Sequence, residues 1–121
     1  MRNQFTLTDG ISTLRQLEPD IYKDLGAHLA LGGSLAYRGT STKDIDIIIY
    51  PHSRERPVDR VKLLAWLEIR GFTPDNFAAW QEYANLTDVL VTTHTDGRRV
   101  DFFIMDRAPF HPTQEEASQW I

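Results

Sequence analysis

The stretch Leu31-Gly32-Gly33-Ser34-Leu35-Ala36-Tyr37-Arg38-Gly39-Thr40-Ser41-Thr42-Lys43-Asp44-Ile45-Asp46-Ile47-Ile48-Ile49-Tyr50 decides how this chain is read. Residues 44–50 are strongly β-branched and read as a strand. Residues 27–31 are short and apolar and stop at Gly32-Gly33, which reads as a buried strand running into a glycine turn. Residues 34–38 fit one helical turn after that pair. Along a strand, positions i and i+2 share a face, so Asp44 and Asp46 project together while Ile45 and Ile47 pack on the other side.

Two like charges side by side cost energy and raise one pKa unless a cation lies between them. A hard, oxygen-preferring ion such as Mg²⁺ relieves that repulsion. The competing reading is an edge strand with two solvated aspartates. Ile47-Ile48-Ile49 points instead to a central strand and favours the metal. The glycine pair permits a tight turn and close approach of a ligand. A helix starting there would aim free N–H groups at an anion such as phosphate, with the Ser34 hydroxyl as a further donor. A Gly-Gly pair alone is also an ordinary turn.

Outward from this stretch, Ile11, Leu14, Leu17, Ile21 and Leu25 recur near helical spacing. Pro19 breaks the run, so residues 11–25 are expected as two short helices or one kinked helix, capped by Asp9 or Ser12. Residues 57–70 read as an amphipathic helix facing inward through Val58, Val61, Leu64, Ala65 and Leu67, with Pro57 near its first turn and Gly71 just past its end. Residues 87–93 and 99–105 read as strands joined through His94-Thr95-Asp96-Gly97 into an antiparallel hairpin. Phe77, Trp80 and Tyr83 fall in an aromatic stretch, and the tail over residues 109–121 carries Phe110 and Trp120 as anchors for a short helix. The order of elements predicts an α/β (α+β) domain, a mixed sheet with helices packed on it, forming one domain over residues 1–121.

Composition bounds the function. The 121 residues suffice for one core without staples, and there are no cysteines for disulfides or thiolate metal sites. No apolar run approaches a membrane span and no signal-peptide core follows Met1, so a cytoplasmic protein is expected. The net charge of −4 argues against a protein built mainly to grip nucleic acid. Arg54, Arg56, Arg60 and Lys62 still cluster locally, as do Arg98 and Arg99, and read first as solvated faces. His28, His52, His94 and His111 show no metal-ligand spacing and read as surface or strand-end residues.

A third carboxylate, Asp101, sits inside Val100-Asp101-Phe102-Phe103-Ile104. A buried carboxylate needs a partner. Arg98 or Arg99 is one candidate; a metal shared with Asp44 and Asp46 is the other.

Taken in order, strand, Gly32-Gly33-Ser34, the nine-residue spacer 35–43, Asp44-Ile45-Asp46-Ile47 and a later Asp on a strand, the chain resembles the nucleotidyltransferase superfamily related to DNA polymerase β. The likeness runs over residues 27–106, and residues 33–40 are similar to that family's Gly-Ser loop with its Arg-Gly. The resemblance assigns the third carboxylate to Asp101 over Asp88, Asp96 and Asp106, because apolar residues flank it on both sides. It implies two Mg²⁺ ions about 3.5–4 Å apart, bridged by Asp44 and Asp46, with Asp101 on the ion beside the acceptor hydroxyl. It further implies a nucleoside triphosphate such as ATP, held by Gly32, Gly33 and Ser34. Arg38, ahead of Lys43, would neutralise the leaving pyrophosphate.

No extra helical domain of the kind larger members carry fits in the chain. The resemblance is therefore to minimal, stand-alone members, some of which belong to toxin–antitoxin pairs and modify their partner with AMP. The leading expectation is an enzyme acting on a hydroxyl of a protein, RNA or small molecule. The alternative is a nucleotidyltransferase-fold binding module or antitoxin that neutralises a cognate partner chain without catalysis. A polynucleotide-extending enzyme is a weaker third reading, given the acidic charge.

Overall fold

The computed structural model describes residues 4–53, 55–75, 81–83 and 87–106. The aromatic stretch around Phe77 and Trp80, Arg54, and the tail with Phe110, His111 and Trp120 lie outside the described residues.

A short strand β1 (Phe5–Thr6) leads directly into helix α1 (Leu7–Leu25). The cap is Thr6, earlier than either expected residue. Its hydroxyl accepts the Asp9 N–H at 3.4 Å, and the Asp9 carboxylate accepts the Thr6 N–H at 2.7 Å, a reciprocal capping box. The first turn, Leu7–Gly10, precedes the apolar periodicity that starts at Ile11. The helix runs unbroken past Pro19, which lies on its exposed side. Gly10, Thr13, Leu17 and Ile21 form the buried stripe.

Strand β2 (Ala27–Gly32), helix α2 (Gly33–Arg38) and strand β3 (Thr40–Ser41) follow. β3 pairs antiparallel with β1, a two-stranded link that the sequence pattern did not suggest. Strand β4 (Ile45–Pro51) alternates cleanly: Ile45, Ile47 and Ile49 are fully buried and the residues between them are not.

Helix α3 (Arg60–Ile69) begins later than expected, with Asp59 as its cap accepting the Lys62 N–H at 3.1 Å and Pro57 ahead of it. Its inward face also differs. Leu63, Trp66 and Leu67 are buried, while Val61 is 78% and Ile69 83% exposed. Apolar residues nearly encircle this helix, so periodicity could not fix its rotation. A long-range contact does: Trp66 Nε1 donates to Asp24 at 2.9 Å, while the Arg70 guanidinium, one turn further along, lies 3.7 Å over the Trp66 ring.

Strands β5 (Phe72–Pro74), β6 (Gln81–Tyr83), β7 (Thr87–His94) and β8 (Arg99–Ile104) complete a six-stranded mixed sheet. Its order is β2-β4-β8-β7-β5, with β6 also on β7. β4 and β8 are parallel; the other pairs are antiparallel. The β7–β8 hairpin closes with His94 N–H on the Arg98 carbonyl at 2.7 Å. Ile45, Ile47 and Ile49 join Val100, Phe102, Ile104, Leu90, Leu17 and Ile21 in one core. This is a mixed α+β fold, and no helix among the described residues is long and apolar enough to cross a membrane.

Candidate active site

The parallel register of β4 and β8 places Asp46 opposite Asp101. Strand alternation sends Ile45, Ile47, Val100 and Phe102 into the core, so both carboxylates emerge on the opposite face. Asp44 stands one residue ahead of β4, where the buried Ser41 hydroxyl accepts the N–H groups of Lys43 and Asp44, each at 3.4 Å. One carboxylate oxygen from each of Asp44, Asp46 and Asp101 lies within 4.8 Å of the others.

The three are poorly compensated. Half-exposed Arg99 approaches Asp101, with Nε 3.6 Å from Oδ1, beyond hydrogen-bond distance. Asp101 Oδ1 is shielded from solvent and accepts no hydrogen bond among the described residues. Burial, followed by the neighbouring Asp44 carboxylate, pushes Asp101 up to about 7. Burial and then Asp44 also push Asp46 up to about 6. Three convergent hard oxygen donors, one buried and orphaned, fit a divalent cation such as Mg²⁺.

The rival aspartates are all occupied elsewhere. Arg60 Nε donates to Asp88 at 3.0 Å and its terminal nitrogens to Asp106, which also accepts the Val58 N–H at 2.9 Å. Asp96 pairs with Arg98 at 2.6 Å and with His94. Burial acts to raise Asp96, but hydrogen bonds from Arg98 and His94 outweigh it and bring it down to about 2. Of the two candidate partners for Asp101, Arg98 turns away to Thr13 and Gln16, leaving Arg99.

The glycine loop meets the carboxylates directly. Gly32 pairs with Asp46 across β2 and β4 and caps α2 without a side-chain hydrogen bond, leaving the first-turn amides of α2 without a side-chain acceptor. Gly33 turns at φ +60°, and a Cβ there would lie 1.9 Å from Asp46 Oδ2. Only glycine can occupy this position with Asp46 in place. Ser34 is the next residue, exposed in the first turn of α2. Arg38, in the last turn, and Lys43 are both exposed, and neither pairs with a carboxylate among the described residues.

Ser41 was not singled out from the sequence; its place two and three residues before Lys43 and Asp44 is the only local sign of its role. The described histidines lie at strand ends or just past them, as expected: His94 ends β7, His28 is the second residue of β2 and exposed His52 follows β4. His94 is largely buried against Phe72, with ring nitrogens toward Gln16, the Arg70 carbonyl and Arg98. His28 and His52 are joined to each other at 2.8 Å.

No family model and no curated relative matches the chain. Solved structures do. A cytoplasmic RNA terminal U-transferase matches over 94% of this chain and 33% of its own, with a TM-score of 0.58 at 17% identity. Cid1, an RNA terminal uridylyl transferase, matches over 94% of this chain and 34% of its own, with a TM-score of 0.54 at 17% identity. Polymerase beta of Leishmania infantum, in a ternary gap complex, matches over 84% and 38%, with a TM-score of 0.50 at 15% identity. The chain thus spans about a third of the length of the structures it matches. The likeness shows a shared fold.

Proposed function

We propose that this chain, which has the nucleotidyltransferase fold, moves a nucleoside monophosphate from a nucleoside triphosphate to a hydroxyl group, with pyrophosphate leaving. The observation that carries the reading is the convergence of Asp44, Asp46 and Asp101 within 4.8 Å, against a loop in which Gly33, at φ +60°, leaves the space that Asp46 occupies. Asp44, Asp46 and Asp101 would hold the Mg²⁺ ions, with Asp101 serving the acceptor side. When bound, the ions polarise the phosphate and make the acceptor hydroxyl more acidic. Asp101, beside the acceptor, helps to take the hydroxyl proton. The amides of Gly33 and Ser34 and the Ser34 hydroxyl cradle the outer phosphates. Arg38 offsets charge on the departing pyrophosphate, and Lys43 contributes less.

The acceptor is a hydroxyl of a protein, an RNA or a small molecule, and ATP is the first donor to test. A cytoplasmic setting, where Mg²⁺ and ATP abound, suits the reaction. One observation supports a second reading, a module that neutralises a cognate toxin or antitoxin chain: α3 presents Val61 and Ile69 to solvent, an apolar surface suited to a protein partner.

Label transfer separates the two. The protein is incubated with Mg²⁺, host lysate and each of four α-labelled triphosphates, beside an Asp44→Asn/Asp46→Asn variant. Label on a discrete protein or RNA band with the wild type only is the expected result. No label with any triphosphate would contradict catalysis and leave the binding module.

A further inference from the structure

A second concave site lies at the other end of β4. It is a cavity of about 730 Å³ between the last turn of α1, the loop after β4 and the first turn of α3. Asp46 and His52 are six residues apart along β4, which at about 3.3 Å per residue is roughly 20 Å. The cavity is therefore separate from the carboxylates, and its volume is that of a small-molecule site.

Lys23, Arg56 and Lys62 line it, and none has a carboxylate partner among the described residues. Two of the three acids in the lining are engaged. Asp24 accepts from Trp66 Nε1 at 2.9 Å and lies 3.6 Å from Arg70, and Asp59 caps α3. Asp59 and Glu55 have no cationic side chain paired with them among the described residues, so the three cations outnumber the two acids left without a cation. Part of the basic cluster in the sequence is thus structural: Arg60 is tied to Asp88 and Asp106, whereas Arg56 and Lys62 have no carboxylate partner among the described residues.

The same lining includes the aromatic rings of Tyr22 and His52. Tyr22, more than half exposed, stacks on His28 with ring centroids 5.4 Å apart and meets His52 edge-on at 5.0 Å. The 2.8 Å contact between His28 Nε2 and His52 Nδ1 holds the two imidazoles in place. Cations lining one cavity repel unless an anion joins them, and aromatic rings in the same lining suit a planar aromatic group. A ligand that satisfies both carries a phosphate and a base.

We infer that this cavity binds a nucleoside phosphate, with its phosphate on Lys23, Arg56 and Lys62 and its base against Tyr22 and His52. The site is independent of the transfer reaction. The ligand comes either as a free nucleotide or as one unit of a single-stranded nucleic acid, for which base stacking beside cations is the general mode of capture.

The test is an NMR titration of the whole chain in EDTA, with no divalent cation to support the carboxylate site. Ligands are ATP, a single-stranded RNA of about 12 nucleotides, and inorganic tripolyphosphate. The expected result is amide shifts at residues 23–26 and 52–62 and ring shifts at His52, with residues 32–46 unmoved. Binding should weaken about tenfold or more in Lys23→Ala/Arg56→Ala/Lys62→Ala, and by a smaller factor in Arg56→Ala/Lys62→Ala should the triple variant not fold. Tighter binding of RNA than ATP assigns the strand, and the reverse assigns the free nucleotide. No shift with either, an unaffected variant, or tripolyphosphate binding as tightly as ATP would overturn the inference. Transfer activity is not read here, so a catalytic failure and a failure of this site remain distinct.

Discussion

Asp101 and Asp106 lie five residues apart, in the middle and just past the end of the same strand, and end in opposite electrostatic states. Both side chains are nearly out of solvent, 11% and 2% exposed. Asp106 is completed from within the fold. Arg60 and the Val58 N–H donate to it, and although burial acts to raise its pKa, the Arg60 hydrogen bond outweighs that and holds it below the ordinary carboxylate range. Asp101 has one loosely placed arginine, an oxygen with no donor, and two more carboxylates beside it. Its pKa rises to about 7. The fold thus makes a finished ion pair in one place and an unfinished cluster in another. The cluster is what a site looks like when its counter-charge comes from outside the chain.

The largest contrast should be in activity. Replacing Asp101, or Asp44 and Asp46, by Asn should lower label transfer by about a thousandfold or more, whereas Asp106→Asn should keep transfer in proportion to its folded fraction. Gly33→Ala belongs with the first group, because the added Cβ would collide with Asp46 Oδ2. Equal losses at Asp101 and Asp106, measured under conditions where both variants are folded, would erase the distinction.

Stability should show the reverse order. Asp106→Asn removes one of the two carboxylates on Arg60, and urea unfolding should register a loss of about 1–2 kcal/mol, below the full cost of a buried pair because Asp88 remains and Arg60 is partly solvated. Asp101→Asn removes repulsion, so without metal at pH 8 it should unfold at the same urea concentration or higher. A large destabilisation there would mean that Asp101 is a structural ion-pair partner of Arg99 after all.

The pH dependence separates the same two groups. Asp46 and Asp101 hold protons more tightly folded than unfolded, so their contribution to stability is fully present below about pH 4 and is lost as pH rises to about 7. Asp96 and Asp106 act oppositely, stabilising above about pH 4 and losing that contribution as pH falls through their depressed values. Thermal melts in EDTA should therefore decline from pH 5 to pH 8, and Mg²⁺ should raise the melting temperature more at pH 8 than at pH 5. A flat profile insensitive to Mg²⁺ would speak against an unfinished site.

Much of this arrangement could be read from residue order. The alternation of Ile45, Ile47 and Ile49 with Asp46, the stop at Gly32-Gly33, and the turn at Asp96-Gly97 are local signals, and the strands formed where they pointed. The capping box Thr6-Leu7-Thr8-Asp9 was equally local but passed over, because the apolar count began at Ile11. What sequence could not supply is non-local. The parallel register that sets Asp46 opposite Asp101 joins distant segments. The rotation of α3 is set by a Trp66–Asp24 bond to another helix. The partners that remove Asp88, Asp96 and Asp106 from consideration are likewise visible only in three dimensions.

The smallest effects should fall at the flexible cations. Arg38→Ala should lower kcat/KM about tenfold and Lys43→Ala less, since Arg38 ends the helix that Gly33 begins. The opposite order in steady-state kinetics would exchange their roles.

The central claim, that the Asp44–Asp46–Asp101 cluster is completed by divalent cations, is tested most directly by counting them. Mn²⁺ would be titrated into the protein with a non-hydrolysable triphosphate while the free-ion electron paramagnetic resonance signal is followed. The account predicts two bound equivalents for the wild type and for Asp106→Asn, and none at comparable concentration for Asp44→Asn/Asp46→Asn beyond what the triphosphate alone binds. Equal Mn²⁺ uptake with and without the two carboxylates would contradict it.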